Sequence, residues 1–383
     1  MRHAALLQTA LFIAVIAIAS IAAGAGALSF KRPSDSDLVS GRLAKSFEKH
    51  YDESFPFKRF GVNLWTAIDL ALFDEGRPGI VIGQEHWLYT AEEFNVADDS
   101  ETELRNNLAL IEWIKAQLAT RHVALLIAVV PAKARVYPEY AGAHKPPRLQ
   151  RELHHRLIAA LTAQRIATAD LLPTLTAAKA QQPTYLRTDT HWTPWGAQHA
   201  AARIADLAKA RGFARAADAR TRYVTTRLPE QPHHGDLLNF LPLEPWFAAL
   251  LPPPDRIRVP VTAAVPAEDA GATVDLFGNA SLPQVVLIGT SYSVNPAWNF
   301  AGALKEALGE DLANLAKEGV GPFPPMVRYL LGEGLRQTPP RLVIWEMPER
   351  ALIVKPDLQA FALPPEALDP QRPQTQSSFV GIR

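Results

Sequence analysis

Within Tyr185-Leu-Arg-Thr-Asp-Thr-His-Trp-Thr-Pro-Trp-Gly196, Asp189 and His191 stand two residues apart. A carboxylate that close can fix the tautomer of an imidazole and stabilise its protonated form, which equips the histidine as a general base. The pair lies just ahead of a helix start. Thr193 has the chemistry of an N-cap, and Pro194 suits the first helical position, where a backbone N–H is not needed. Such a base needs a nucleophile, and Ser291 is the candidate. It sits in Gly289-Thr-Ser-Tyr-Ser293, directly after the apolar run Val285–Ile288. A turn at a strand end exposes the hydroxyl beside backbone N–H groups that can face a developing oxyanion. The segment departs from the Gly-x-Ser-x-Gly elbow of α/β-hydrolases, and small polar residues after a strand also serve as plain loop and cap residues.

The elements that must hold these groups read as alternating helices and buried strands. Continuous apolar runs at 123–130, 285–288 and 341–346 have the character of strands covered on both faces of a parallel sheet. Helical periodicity covers 101–118, 149–163, 297–308 and roughly 325–335, and the helix after Pro194 runs to about Arg211 through Ala197, Ala200, Ala201, Ile204, Leu207 and Ala208. Residues 80–89 read as strand, turn and strand, and 166–172 as a further strand. Residues 42–73 are helical, with Phe47, Phe55, Phe57, Phe60, Trp65 and Phe73 as anchors. The expectation is an α/β sandwich with a mostly parallel sheet flanked by helices. One domain is expected over 29–360, with a Pro-rich irregular excursion containing short strands at 212–283 and a flexible tail at 361–383.

Composition narrows the function classes. The 383 residues carry 39 basic and 39 acidic side chains, so no global field steers the chain toward nucleic acid. There is no cysteine, which excludes disulfides, thiolate metal sites and cysteine nucleophiles. Arg2 and His3 precede an apolar run from Ala10 to Leu28, long enough to span a bilayer. Residues 1–28 are therefore expected to be a signal anchor or a signal peptide, with the uncleaved anchor favoured and the remainder exported.

Five motifs in order resemble the periplasmic alginate O-acetyltransferases of the AlgJ and AlgX type, which are SGNH-hydrolase-like proteins of exopolysaccharide synthesis. They are Ile82-Gly-Gln-Glu-His-Trp-Leu88, Val130-Pro-Ala-Lys-Ala-Arg-Val-Tyr137, Asp189-Thr-His-Trp192, Gly289-Thr-Ser-Tyr-Ser293 and Glu346-Met-Pro-Glu-Arg350. The anchor-like N-terminus is more similar to the AlgJ branch, and no carbohydrate-binding module is apparent. As in that group, the acid–base pair precedes the nucleophile. The resemblance implies an SGNH-like fold, Ser291 as nucleophile, His191 as base and Asp189 as its orienting carboxylate. It also implies an exopolysaccharide acceptor and a membrane-bound acyltransferase as acetyl donor at the inner membrane. No cofactor and no metal is expected.

Other residues near the motifs carry two readings each. Tyr185, Trp192, Trp195 and Trp298 can stack on sugar rings or pack the core. Arg187 and Arg350 can bind uronate carboxylates or form structural ion pairs. Lys133 and Arg135 follow a strand end and could reach the same cleft. A rival chemistry groups Asp189, His191 and His199 as zinc ligands, and His233-His234 reads as a solvated pair in the irregular region. An acetylesterase with the same triad and a non-catalytic polymer-binding scaffold stay open beside the transferase.

Overall fold

The computed structural model describes residues 2–32, 40–55, 57–215, 220–265, 282–364 and 367. The chain divides into two units, Met1–Arg77 with Phe240–Leu251, and Pro78–Asn239 with Pro252–Arg383. The domain expected over 29–360 is thus shared between them. The first unit holds α1 (Arg2–Leu28), α2 (Arg42–Ser54) and α3 (Lys58–Phe73). Its aromatic anchors pack on one another, with Phe47 stacked on Tyr51 and Phe60 edge-on to Trp246. Helix α1 covers the stretch expected to be an anchor or signal, but many of its side chains lie outside the described residues. Among the described residues, no helix is long and apolar enough to cross a membrane.

The second unit begins with a small antiparallel pair, β1 (Ile80–Ile82) and β2 (Leu88–Thr90), matching the expected strand, turn and strand. Next come α4 (Ser100–Ala119), β3 (Ala124–Val130), the single turn α5 (Lys133–Val136), α6 (Arg148–Ala163), β4 (Ala167–Asp170), α7 (Leu172–Ala178) and α8 (Pro194–Ala210). The irregular excursion contains short strands, as expected: β5 (Tyr223–Arg227), β6 (Gln231–His233), β7 (Asp255–Ile257) and β8 (Pro260–Ala264). These form two antiparallel pairs, β5 with β8 and β6 with β7. The chain then runs through β9 (Val285–Ile288), the single turn α9 (Ser291–Val294), α10 (Phe300–Leu308), β10 (Ala313–Asn314), α11 (Phe323–Leu331), α12 (Glu333–Gln337) and β11 (Leu342–Pro348). The helix expected near 325–335 is split at Gly332, where the backbone is extended. Residues 266–281 and most of the expected tail, 368–383, lie outside the described residues.

Strands β10, β9, β11, β3 and β4 form one sheet in that order, and every pairing in it is parallel. The apolar runs are continuous because both faces are covered. Side chains alternate between faces, so Leu126, Ala128, Val130, Leu287 and Ile344 join the core with Ala200 and Ile204 of α8 and Leu304 of α10. Ile127, Val129, Ile288, Val343 and Trp345 join the opposite core with Ile111 and Ile114 of α4 and Leu153 and Leu157 of α6. Each fully buried Val, Leu or Ile among them contributes about 1.5–3 kcal/mol of burial. This makes the sheet a stiff frame for whatever sits at its strand ends.

A buried polar cluster ties α6 to the carboxyl ends of three strands. His154 contacts Glu349 Oε2 through Nδ1 at 2.7 Å and Asp170 Oδ1 through Nε2 at 2.8 Å. Arg135 Nε donates to the other oxygen of Glu349 at 2.9 Å. Burial opposes a charge on His154, but the hydrogen bonds to Asp170 and Glu349 outweigh it and raise its pKa to about 9. A folded-state pKa above the ordinary value of 6.5 contributes stability that is full below about pH 6.5 and is lost as pH rises through about 9. Thermal unfolding followed from pH 6.5 to 9.5 should show a falling midpoint, with a smaller fall in His154→Gln; an equal fall in both would contradict this assignment.

Candidate active site

The Asp-x-His stretch is a closed hairpin. Leu186 N–H donates to His191 O at 3.1 Å, Thr193 N–H donates to Thr184 O at 3.0 Å, and Tyr185 and Trp192 form an antiparallel bridge. Thr193 caps α8 as expected, accepting from Gly196 N–H at 3.1 Å. Two groups of side chains hold the tip. From α5, Lys133 Nζ donates to the carbonyls of Leu88 (2.6 Å), Arg187 (2.8 Å) and Asp189 (2.9 Å). Its burial lowers the ammonium pKa to about 8. From β7, Asp255 accepts from Arg187 N–H, Thr188 N–H and the Thr188 hydroxyl at 2.9, 2.8 and 2.6 Å. Asp236 accepts from Thr190 N–H at 2.8 Å. Gly235 is required here, because a Cβ would stand 2.0 Å from Thr188 O.

At the centre, Asp189 Oδ1 accepts from the His191 backbone N–H at 3.0 Å and pairs with His191 Nδ1 at 2.6 Å. Asp189 Oδ2 pairs with His233 Nε2 at 2.8 Å and accepts from Asp236 N–H at 3.2 Å. Burial opposes ionisation of Asp189, yet the hydrogen bonds from His191 and His233 prevail and hold it well below the usual carboxylate range. Ionised Asp189 keeps the proton of neutral His191 on Nδ1, which leaves Nε2 as an acceptor. His191 Nε2 lies 2.7 Å from Ser291 Oγ. The imidazole is braced by Trp298, stacked at 4.5 Å, and by Tyr292 at 4.6 Å.

Ser291 opens α9, directly beyond the carboxyl end of β9. The turn that presents it is gripped from the neighbouring strand by Glu346, which is fully buried. Glu346 Oε2 accepts from Thr290 N–H at 2.8 Å and from the Ser293 hydroxyl at 2.9 Å, and the Thr290 hydroxyl lies 3.1 Å from both oxygens. Thr290 Oγ1 in turn accepts from Tyr292 N–H at 3.3 Å. Gly289 permits this, since a Cβ there would meet Glu346 Oε2 at 2.4 Å. Burial raises the pKa of Glu346.

The sequence-expected residues separate into three groups. Asp189, His191 and Ser291 come together. Arg350 joins them: it and Ser291 line one cavity of about 380 Å³, together with Glu92, Thr290, Lys355 and the turn at 319–321. Arg350 donates to Glu92 Oε2 at 2.8 Å and lies over the Tyr292 ring. Arg187, Trp195 and Tyr185 instead line a separate cavity of about 610 Å³ with Arg227, Arg256 and Arg258. The remaining expectations for sugar contact are corrected. Trp192 and Trp298 are buried, Lys133 is consumed by three carbonyls, and Arg135 is bound to Glu349 and to the Arg151 carbonyl. Tyr185 is itself buried, with its hydroxyl donated to Pro131 O at 2.6 Å.

Sequence reasoning missed His233, Asp236, Asp255 and Glu346. His233 was expected to be solvated, but its side chain is only 16% exposed and contacts Asp189; His234 is exposed. The available signal was Glu346, an acid inside an otherwise apolar strand. Asp189, His191 and Asp236 could also offer ligand atoms within 4.8 Å of one another. Asp189 Oδ1 and His191 Nδ1 already satisfy each other, and His199 packs edge-on to Trp195. The geometry favours a hydrogen-bonded acid–base pair over the zinc reading.

Residues 80–349 match the family model described as SGNH hydrolase-like domain, acetyltransferase AlgX. A probable alginate O-acetylase AlgJ of Pseudomonas aeruginosa is 46% identical over 338 residues, covering 87% of this chain and 85% of that protein. Its counterpart in Azotobacter vinelandii is also 46% identical, over 336 residues, covering 88% of this chain and 86% of the relative. The O-acetyltransferase domain of Pseudomonas putida AlgJ superposes with a TM-score of 0.68 at 39% identity, covering 74% of this chain and 96% of that domain.

The placement of Lys133 is testable. Lys133→Met removes the ammonium donor from the Leu88 and Asp189 carbonyls, while Arg187 O keeps the Leu88 N–H at 2.9 Å. Each buried carbonyl that loses its donor costs about 1–3 kcal/mol. Denaturant unfolding should show a loss of several kcal/mol together with lost activity. Unchanged stability with only a raised KM would return Lys133 to the substrate cleft.

Proposed function

The chain belongs to the SGNH hydrolase-like, AlgX-type acetyltransferase family, and from that premise we propose that it is an O-acetyltransferase acting on an alginate-like exopolysaccharide. The observation that carries the reading is the unbroken line Asp189–His191–Ser291, with bonds of 2.6 and 2.7 Å. In the first half-reaction Ser291 gives its proton to His191 Nε2, and its oxygen adds to the acetyl carbonyl of the donor. His191 then returns that proton to the leaving group, and acetyl-Ser291 remains. In the second half-reaction a sugar hydroxyl gives its proton to His191 and attacks the acetyl carbon. Ser291 departs with the proton, and the ester now belongs to the sugar. The oxyanion formed in each half lies beside the Ser291 backbone N–H, at the first position of α9, where the helical ladder leaves N–H groups unpaired.

Arg350 suits a polyuronate acceptor. Its guanidinium shares the cavity with Ser291 and now pairs with Glu92, whose side chain is 67% exposed. A sugar carboxylate can replace that partner, placing a hydroxyl of the same ring near the acetyl group. The exported location, attachment to the inner membrane through residues 1–28, and delivery of acetyl groups by a membrane-bound acyltransferase complete the proposal. The apolar run of α1 supports the attachment. Processing of this segment is read by the N-terminal sequence of protein recovered from membranes.

Ser291→Ala should lower acetyl transfer to oligomannuronate by at least about a thousandfold while leaving the fold intact, as loss of a triad nucleophile does elsewhere. Retained transfer would end the reading, and release of free acetate from acetylated polymer without transfer to an added acceptor would select the esterase. Arg350→Ala should raise KM for the uronate acceptor about tenfold or more, the loss of a desolvated charge-assisted pair. An equal loss with a neutral oligosaccharide would remove Arg350 from carboxylate recognition.

A further inference from the structure

Asp189 carries two imidazoles, one on each oxygen. His191 takes Oδ1 at 2.6 Å and His233 takes Oδ2 at 2.8 Å. We propose that His233 is a positioning residue of this site: as an imidazolium on Asp189 Oδ2, it holds the carboxylate in place and keeps His191 neutral, so that the base is available to Ser291 at lower pH. The proposal rests on the triad reading given above.

A single carboxylate can neutralise one imidazolium, and the three side chains are only 5%, 10% and 16% exposed for Asp189, His191 and His233. Protonating both histidines puts two imidazoliums on the one carboxylate they share, and the next acid, Asp236 Oδ2, stands 3.7 Å from His191 Nδ1 on a side chain that is 43% exposed. The surroundings decide which ring holds the proton. His233 ends β6, where its register partner on β7 is Asp255. Asp236 lies three residues further along the chain. Against these acids stand Lys133, on the Asp189 carbonyl, and Arg187, 3.8 Å from Asp255. Trp298 faces both rings, stacked on His191 and edge-on to His233. The hydrogen bond to Asp189 raises the pKa of His233 above its ordinary value, with burial opposing and Asp255 and Asp236 assisting. His191 has a different task. Its Nε2 must be bare to accept the serine proton, so a proton placed permanently on His191 would stop the reaction.

This arrangement separates two roles that a triad aspartate usually combines. Asp189 must orient His191, which needs a well-held carboxylate, yet an unshared negative charge also attracts a second proton to the imidazole it holds. His233 preserves the orientation and offsets the charge. The hairpin of β6 and β7 that supplies it also supplies Asp255, the acceptor for the backbone of Arg187 and Thr188. One element therefore sets both the geometry and the electrostatics of the Asp-x-His tip.

The test is a pH titration of His191 by histidine-selective NMR in the full-length chain carrying Ser291→Ala, with and without His233→Gln. Glutamine can keep an N–H donor for Asp189 Oδ2 without a charge. The expected result is a rise in the His191 midpoint by about one pH unit when His233 is replaced. With Ser291 intact, the acid limb of acetyl-enzyme formation should move to higher pH by the same amount. His233→Ala should give the same direction with a lower plateau, and if it does not fold the glutamine variant carries the test. An unmoved or lowered His191 midpoint in His233→Gln overturns the proposal, as does a plateau that falls with no shift of the limb. The NMR arm does not depend on turnover. Failure of the acetyltransferase reading would instead appear as acetyl-enzyme formation surviving Ser291→Ala.

Discussion

The carboxylate of Asp189 is filled. It accepts four hydrogen bonds, two on each oxygen, from the backbone and ring of His191, the ring of His233 and the backbone of Asp236. A carboxylate offers about four acceptor positions, so the side chain has no slack in which to rotate. That saturation fixes the His191 ring, and the ring fixes the direction from which a proton can leave Ser291. Ionisation of a carboxylate this buried is costly, and the donors around it are what make it favourable.

Everything around this group serves to bring two distant pieces of chain into register. The serine turn hangs from β9 and is gripped by Glu346 on β11, so two adjacent strands of a stiff parallel sheet locate the nucleophile. The base comes on a hairpin that no sheet strand carries directly. Lys133 anchors that hairpin to the carboxyl end of β3, and Asp255 and Asp236 hold it from the segment between α8 and β9. Trp298 and Tyr292, which follow Ser291 in the chain, then close on the His191 ring. The base is thus positioned partly by the same segment that carries the nucleophile.

Much of this was legible in the sequence because it rests on local rules. Buried parallel strands announce themselves as unbroken apolar runs, and Thr193-Pro194 announces a helix start. Asp189 and His191 are neighbours in sequence, and Ser291 follows a strand, so the triad could be read from spacing. The supporting shell was not legible, for a physical reason. His233, Asp236 and Asp255 lie in a Pro-rich stretch where β6 and β7 pair over only three residues, too few to set up a periodic signal. Their roles arise only when antiparallel pairing lays that stretch over the Asp-x-His tip. Lys133 and Arg135 misled for a related reason. A charged residue after a strand end looks like a cleft residue, yet here the charges satisfy buried carbonyls and a buried carboxylate. The tryptophans beside the motifs likewise brace the base rather than face a sugar.

The central claim is that the acetyl group rests on Ser291 between donor and acceptor. The most direct measurement is to mix the protein briefly with an acetyl ester, quench in acid, digest and locate the modification by mass spectrometry. The account predicts the mass of one acetyl group on the peptide containing Ser291, chased off when an oligouronate acceptor is added. Acetyl on another residue, or transfer to the acceptor with Ser291 never modified, would contradict it.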